Sequence, residues 1–221
     1  MPQASGLQFT ATIGEYSSDH FSVVGFALTE RLSELFQGRL DLASTDPSVV
    51  ASKVLEQPVD LVIWQDRAPL RRFTGVVSEF ARGDSGHRRT RYELVFRPPL
   101  WRLALMHNSR IFQNRGTDEI VRTLLEERGV VDTVFDLERR PEEREYCVQH
   151  RESDLAFVER LAAEEGWHYR YQHGSLDGQE PPALVFADHH RDSPRLEAVP
   201  YNGKAGGSTR TPCVFRFAYR E

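Results

Sequence analysis

The feature that most limits how this chain folds is a series of three strand-like segments, broken by turn chemistry, between positions 59 and 97. Val59–Gln65 is rich in Val, Ile and Trp, side chains that suit a pleated, half-buried surface. Asp66-Arg67-Ala68-Pro69 reads as a turn, Phe73–Ala81 as the return, Gly83-Asp84-Ser85-Gly86 as a second turn and Arg91–Arg97 as a third strand. In that third strand Tyr92, Leu94 and Phe96 alternate with Arg91, Glu93 and Arg97, with Val95 as the exception. A side-chain period of two places the first set on one face and the charges on the other. Phe73 and Val77 share a face in the same way. Short turns between such segments dictate an antiparallel meander. Upstream, Phe21–Leu28 and Arg39–Ala43 read as further strands, and Pro47 suits the first turn of a short helix.

Beyond Pro98-Pro99 the pattern changes. Leu100–Met106 reads as a short helix and Asn108–Gln113 as a short extended link. Thr117 is positioned to cap a helix running to about Arg128. Its apolar stripe is Ile120, Val121, Leu124 and Leu125, with Asp118 and Glu119 near its positive end and Gly129 at its stop. Val130–Leu137 reads as extended and Tyr146–His150 as a strand. Ser153 caps a second helix with Leu155, Val158, Leu161 and Ala162 inward, ended by Gly166. Trp167–Gln172 and Ala183–Ala187 form the arms of a hairpin around the polar loop 173–182. Asn202–Ser208 is Gly-rich, and Val214–Tyr219 begins one more strand. These elements make the fold class α+β.

The chain has 221 residues, enough for one large domain or two small ones. Hydrophobic residues at 39% and charged residues at 28% give it a real core. A net charge of −5, well interspersed, supplies no electrostatic reason to bind nucleic acid or an anionic membrane. No apolar run approaches the roughly 20 residues of a membrane span, and Met1–Gly6 lacks the basic and apolar regions of a secretory leader. The chain is therefore expected to fold in the cytosol and to leave the cell, if it does, by another route.

Candidate chemistry is sparse. Cys147 and Cys213 belong to no CxxC or Cys/His cluster, and Cys147 on a strand reads as a buried inert thiol. Cys147 and His150, three apart on a strand, face opposite sides. Ser85 has turn composition only. Glu164-Glu165 diverge by about 100° around a helix, so they form no glycosidase-type pair and read as a charged exposed face. Trp167, Tyr169 and Tyr171 alternate as the core face of a sheet rather than as a stacking platform. Asp188-His189-His190, after an apolar strand and with Asp192 nearby, resembles the tripeptide of a phosphoesterase family. Those enzymes need further carboxylates for two metals, and the sequence supplies no Asp-x-Asp pattern. Gly-x-Ser-x-Gly, Walker A and dinucleotide fingerprints are missing from the sequence. No catalytic, cofactor-binding or metal-binding residue is assigned.

The segment from Tyr146-Cys147-Val148-Gln149-His150 through Glu152-Ser153-Asp154 to Arg160-Leu161-Ala162-Ala163-Glu164-Glu165-Gly166 closely resembles a signature of VgrG, the spike protein of bacterial type VI secretion. Phe73-Thr74-Gly75-Val76-Val77, Pro98-Pro99-Leu100-Trp101 with Ser109-Arg110-Ile111-Phe112-Gln113, and Leu184–Asp188 agree in the same order. His150 replaces the usual Tyr, and Trp167-His168-Tyr169-Arg170 is more polar than usual. The resemblance covers about Phe9 to Tyr201 and implies the N-terminal hub region of such a spike, related to phage tail hubs. It implies an antiparallel β-barrel-like tube module at 7–97, an α/β insertion at 98–200, and at 201–221 a linker opening a second barrel that is cut short. An Ala-Asp pair ends the last strand of that family without metal chemistry. The implied function is structural, not enzymatic: a homotrimer that caps the Hcp tube hexamer, helps puncture target cells and delivers secreted effectors or adaptors. Three subunits with two barrels each would match six tube subunits. With the second barrel incomplete, this stretch alone is expected to trimerise poorly. The implied localisation is the bacterial cytoplasm during assembly, then the extracellular space or a target cell, with neither nucleic acid nor a stable membrane anchor involved. A hub of a phage tail or phage-derived contractile device is the alternative within the class. A metal-dependent phosphoesterase using Asp188, His189 and His190 is the alternative outside it.

Overall fold

In the computed structural model, residues 6–191 are described. The expected strand Val214–Tyr219, the Gly-rich stretch Asn202–Ser208, Cys213 and Asp192 lie outside them.

The meander anchors a six-stranded antiparallel sheet. Its strands are β1 (Leu7–Ile13), β2 (Ser22–Thr29), β3 (Gln37–Ser44), β4 (Pro58–Gln65), β5 (Ala68–Ser85) and β6 (Thr90–Arg97), in the order β1-β4-β5-β6-β3-β2. Two expected turns shift. The first is the two-residue turn Asp66-Arg67, with φ of 50° and 72°, so Ala68 and Pro69 already belong to β5. Positive φ at both central residues gives the turn twist that matches a right-twisted hairpin. The second turn is Gly86–Arg89, closed by Gly86 N–H donating to Arg89 C=O at 2.9 Å, because β5 continues through Gly83 and Ser85.

β5 is 18 residues long and changes partners along its length. Its first half pairs with β4 from Gln65↔Ala68 to Pro58↔Val76, and its second half pairs with β6 from Val76↔Arg97 to Ser85↔Thr90. Such a stagger tilts and curls a sheet as in a barrel wall. The free edges β1 and β2 approach each other, with the Phe9 and Phe26 rings 5.2 Å apart edge to face. The inner face carries Phe21, Leu40, Leu42, Leu61, Phe73, Val77, Leu94 and Phe96, all buried. Gly38 lies directly opposite Phe96, and a Cβ there would stand 2.1 Å from the ring. The glycine is what lets the phenylalanine lie flat across β3.

The second half builds its own core within the same compact unit, Met1–Asp188. A 3-10 turn at Pro99–Leu105 buries Leu100 and Leu103. β7 (His107–Arg115) pairs antiparallel with β9 (Arg144–Ser153), so the expected link at Asn108–Gln113 is a nine-residue strand. α1 (Thr117–Glu127) and α2 (Asp154–Glu164) pack beneath this ribbon. β10 (His168–Gln172) pairs with β11 (Ala183–Ala187) as the expected hairpin, and β11 pairs in parallel with the short β8 (Thr133–Asp136). Only these four residues of the extended stretch Val130–Leu137 are strand. The short helix after Pro47 is a three-residue 3-10 turn, Ala51–Lys53.

The helix ends follow from sequence with one change. Ser153 caps α2, its Oγ accepting from Ala156 N–H at 3.0 Å. Gly166, at φ 73°, closes it while Trp167 N–H reaches Ala162 C=O at 2.7 Å. At α1 the cap residue is Gly116, and Thr117 is the first helical residue. The Thr117 hydroxyl is fully buried and donates to Glu165 Oε1 at 2.6 Å, tying the start of α1 to the end of α2.

Candidate assembly surface

The β7–β9 ribbon has one face in the core and one in solvent. Phe112 and Cys147 are cross-strand partners facing inward, as are Arg110 and Gln149. Ile111 faces Val148 and Gln113 faces Tyr146 on the outer side. That side leaves Ile111 66% and Tyr146 61% exposed, and Val148 is about half exposed. Leu105 and Met106, just before β7, are exposed as well. Contiguous exposed apolar groups on a well-ordered ribbon mark a surface that another surface covers.

What ties the ribbon to the helices is a buried carboxylate. Asp154, the first residue of α2, is fully buried. Its Oδ1 accepts from Asn108 Nδ2 at 2.8 Å and Gln149 Nε2 at 2.9 Å. Its Oδ2 accepts from Arg128 Nη2 at 2.9 Å and Nε at 3.2 Å, with Arg110 Nη2 at 3.8 Å. Burial pushes this carboxyl up, but the hydrogen bonds from Asn108, Gln149 and Arg128 and the charge of Arg110 outweigh it and hold it below its usual value. One side chain thereby links β7, β9, the start of α2 and the end of α1. β9 bulges at Arg151, with φ 50°, where its N–H meets Ser109 Oγ at 3.2 Å.

Glu164 and Glu165 do not form a free carboxylate pair, and they are not simply a solvated face. Arg144 from β9 reaches both, Arg160 adds to Glu164 at 3.0 Å, and Thr117 adds to Glu165. The Arg144 guanidinium holds the Glu164 carboxyl below its usual value.

The two cores meet around His173. Thr74 N–H donates to its Nδ1 at 3.0 Å, so its Nε2–H donates to Glu30 Oε1 at 2.8 Å. The ring sits against Phe36, Phe73 and Tyr171, with centroids 4.9–5.3 Å away. β6 pairs with β5 only from Val76 onward, so the imidazole occupies the place of a missing ladder partner for Thr74. The hydrogen bond from His173, with the charge of Arg71, holds the Glu30 carboxyl low. Nearby, Arg72 grips Asp60 bidentately at 2.7 and 2.9 Å and reaches Ser175 C=O at 3.1 Å. Sequence reading found neither node.

Other sequence candidates fall as follows. Cys147 is buried, burial raises its pKa, and His150 is exposed on the opposite side. Ser85 Oγ lies 3.1 Å from Thr90 Oγ1 and receives Arg82 at 3.2 Å. Trp167 and Tyr169 are buried in the second core. Tyr169 donates to Glu159 at 2.7 Å, and Tyr171 packs against both cores. Asp188 accepts backbone N–H groups of Glu138 and Arg139 at 2.9 and 3.1 Å, one on each oxygen, stapling the loop after β8. Among the described residues, no three His, Cys, Asp or Glu side chains gather where they could hold a metal ion. No helix there is long and apolar enough to cross a membrane.

A curled, staggered sheet followed by an α/β excursion is the architecture of tail-hub proteins of contractile injection machines. The chain belongs to the phage tail baseplate hub (GPD) family, whose model matches residues 29–221. It is 37% identical over 224 aligned residues to the type VI secretion system spike protein VgrG3 of Vibrio cholerae, a match covering 97% of this chain and 22% of that protein. It is 38% identical to the spike protein VgrG2b of Pseudomonas aeruginosa, over 97% of this chain and 21% of that protein. Among solved structures it resembles the E. coli c3393 protein, described as a type VI secretion component structurally similar to the T4 tail proteins gp27 and gp5. That match has a TM-score of 0.68 at 26% identity and covers 90% of this chain and 50% of the other. The chain thus spans about a fifth of the length of these spike relatives. It is a hub component of the VgrG type, as its sequence signature implied.

Proposed function

We propose that this chain is the hub part of a type VI spike that trimerises, seats on the end of the Hcp tube hexamer, and carries effectors or adaptors with it when the sheath contracts. In this reading 7–97 is the tube module, 98–200 the insertion, and 201–221 the approach to a second barrel. The observation that carries the reading is the curled six-stranded sheet with two free edges, beside a ribbon whose ordered outer face exposes Ile111, Tyr146 and Val148. A surface of this kind gains by joining neighbours, since sheet edges and apolar faces left open invite association. The protein works through buried interface area, without an active site. It is assembled in the bacterial cytoplasm and exported with the tube.

The test is export. Deleting the gene in its source bacterium should abolish release of the tube protein into the medium, and restoring the gene should recover it. Tube release unaffected by the deletion would reject the reading. The family's phage-tail description favours a hub of a phage-derived device as the second reading. Release of intact tail particles instead of tube protein would select it.

A further inference from the structure

The β5–β6 hairpin ends in a tip whose charge opposes that of the rest of the chain. Arg82–Arg91 holds four arginines against Asp84, a net charge of +3 on a chain whose total is −5. Every residue from Ala81 to Arg89 is exposed, and so is Arg91. The tip is fixed in shape. The turn Gly86–Arg89 is closed by a backbone bond, Ser85 Oγ meets Thr90 Oγ1, Arg82 Nη2 donates to Ser85 Oγ, and Arg89 Nη1 donates to Ser22 Oγ at 3.0 Å. A preorganised basic finger loses little entropy when it binds.

The chain also displays a matching acidic element. Glu142 and Glu143, between β8 and β9, and Glu145, at the start of β9, are exposed. The arginine among them, Arg144, turns inward onto Glu164 and Glu165 and does not neutralise them. Arg140 lies 3.8 Å from Glu119, and Arg139 stands beside the group and lowers its excess charge. The tip and this cluster sit on different elements, so their contact between copies is heterologous, the kind that closes into a ring.

We propose that the arginine tip of one copy docks on the Glu142, Glu143 and Glu145 cluster of the next, setting the register between neighbouring subunits of the hub ring. The inference rests on the ring assembly proposed above. Contacts of this kind guide register and association rate more than they add affinity. Association through them is weak in the isolated chain and falls steeply with salt.

The test is cross-linking between copies. In a C213S background, with Cys147 buried, H87C protein is mixed with E143C protein and treated with a short bismaleimide. A mixture of S17C with E143C sets the background. The expected result is a hetero-dimer yield about tenfold above that background at low ionic strength, lost at about 0.5 M NaCl, where the Debye length shrinks to a few ångströms. Adding R88E and R89E to the first partner should remove the product, and adding E142R and E145R to the second should then restore it. A yield at background level overturns the proposal, as does a product indifferent to charge reversal. Tip-dependent binding of a short DNA duplex with no hetero-dimer also overturns it, pointing to nucleic acid instead. Tube binding that survives without the cross-link refutes this docking alone, whereas the cross-link without tube binding refutes the hub reading.

Discussion

Replacing Asp154 by Asn should unfasten the ribbon that presents the exposed apolar face. The substitution preserves shape and removes charge. Oδ1 serves two amide donors and Oδ2 serves the Arg128 fork, so an Asn amide group must face donors whichever way it turns. Two hydrogen bonds are lost, and those to a charged partner are worth about 1.5–3 kcal/mol each. Arg110 and Arg128 are each about a quarter exposed and regain some water, which favours the lower end of the range. The expected loss is about 3 kcal/mol, or roughly 6–12 °C in Tm for a chain of this size. Urea titration followed by circular dichroism measures it, with an unchanged m value showing that the unfolded reference is the same. D19N, at an exposed site, serves as control and should move stability by less than about 0.5 kcal/mol. A loss under about 1 kcal/mol in D154N would show that the carboxylate does not organise the excursion.

Three further outcomes follow from the packing. G38A should cost about 3 kcal/mol or more, because its Cβ would overlap the buried Phe96 ring, and F96L in the same chain should recover part of the loss; thermal melts decide it, and a neutral G38A would contradict the packing. H173F keeps the aromatic contacts but removes the acceptor for Thr74 N–H, so stability should fall by about 1–3 kcal/mol and Thr74 amide exchange should accelerate; unchanged exchange would refute the ladder role. Glu30, Asp154 and Glu164 all have depressed folded pKa values, so their stabilisation is present above the unfolded carboxylate values near 4 and is lost as pH falls through the lower folded values. Urea midpoints should therefore drop below about pH 4 and stay flat in this contribution from about pH 5 upward, and an equal midpoint at about pH 3 would contradict the assignment.

Where the sequence carried a period, the structure follows it. Tyr92, Leu94 and Phe96 are all buried, and the stripe Ile120, Val121, Leu124 and Leu125 is the inner face of α1. β7 escaped as a full strand because its two apolar residues, Ile111 and Phe112, are adjacent and point to opposite faces, so neither face of His107–Arg115 carries an apolar period. Phe112 and Arg110 point inward, and the arginine is tolerated there only because Asp154 receives it. That acid reads as an ordinary helix-start residue, since its partners are scattered from Asn108 to Gln149. Thr117 has cap chemistry by type but spends its hydroxyl on Glu165, 48 residues away. The parallel pairing of β8 with β11 and the insertion of His173 beside Thr74 are likewise long-range, and local pattern does not encode them. The identity of the hub was legible earlier than its geometry, because the signature from Tyr146 to Gly166 spans the ribbon, the Ser153 cap and the Arg144–Glu164–Glu165 cluster at once.

The decisive measurement is the stoichiometry of the chain with its tube partner. Native mass spectrometry of this protein, co-expressed with the tube protein of the same bacterium, should reveal three copies bound to one tube hexamer, the hexamer holding together a trimer that the chain alone forms poorly. Free monomer beside an undecorated hexamer, at every concentration tried, would mean that the open edges and the apolar ribbon are not surfaces for joining a tube.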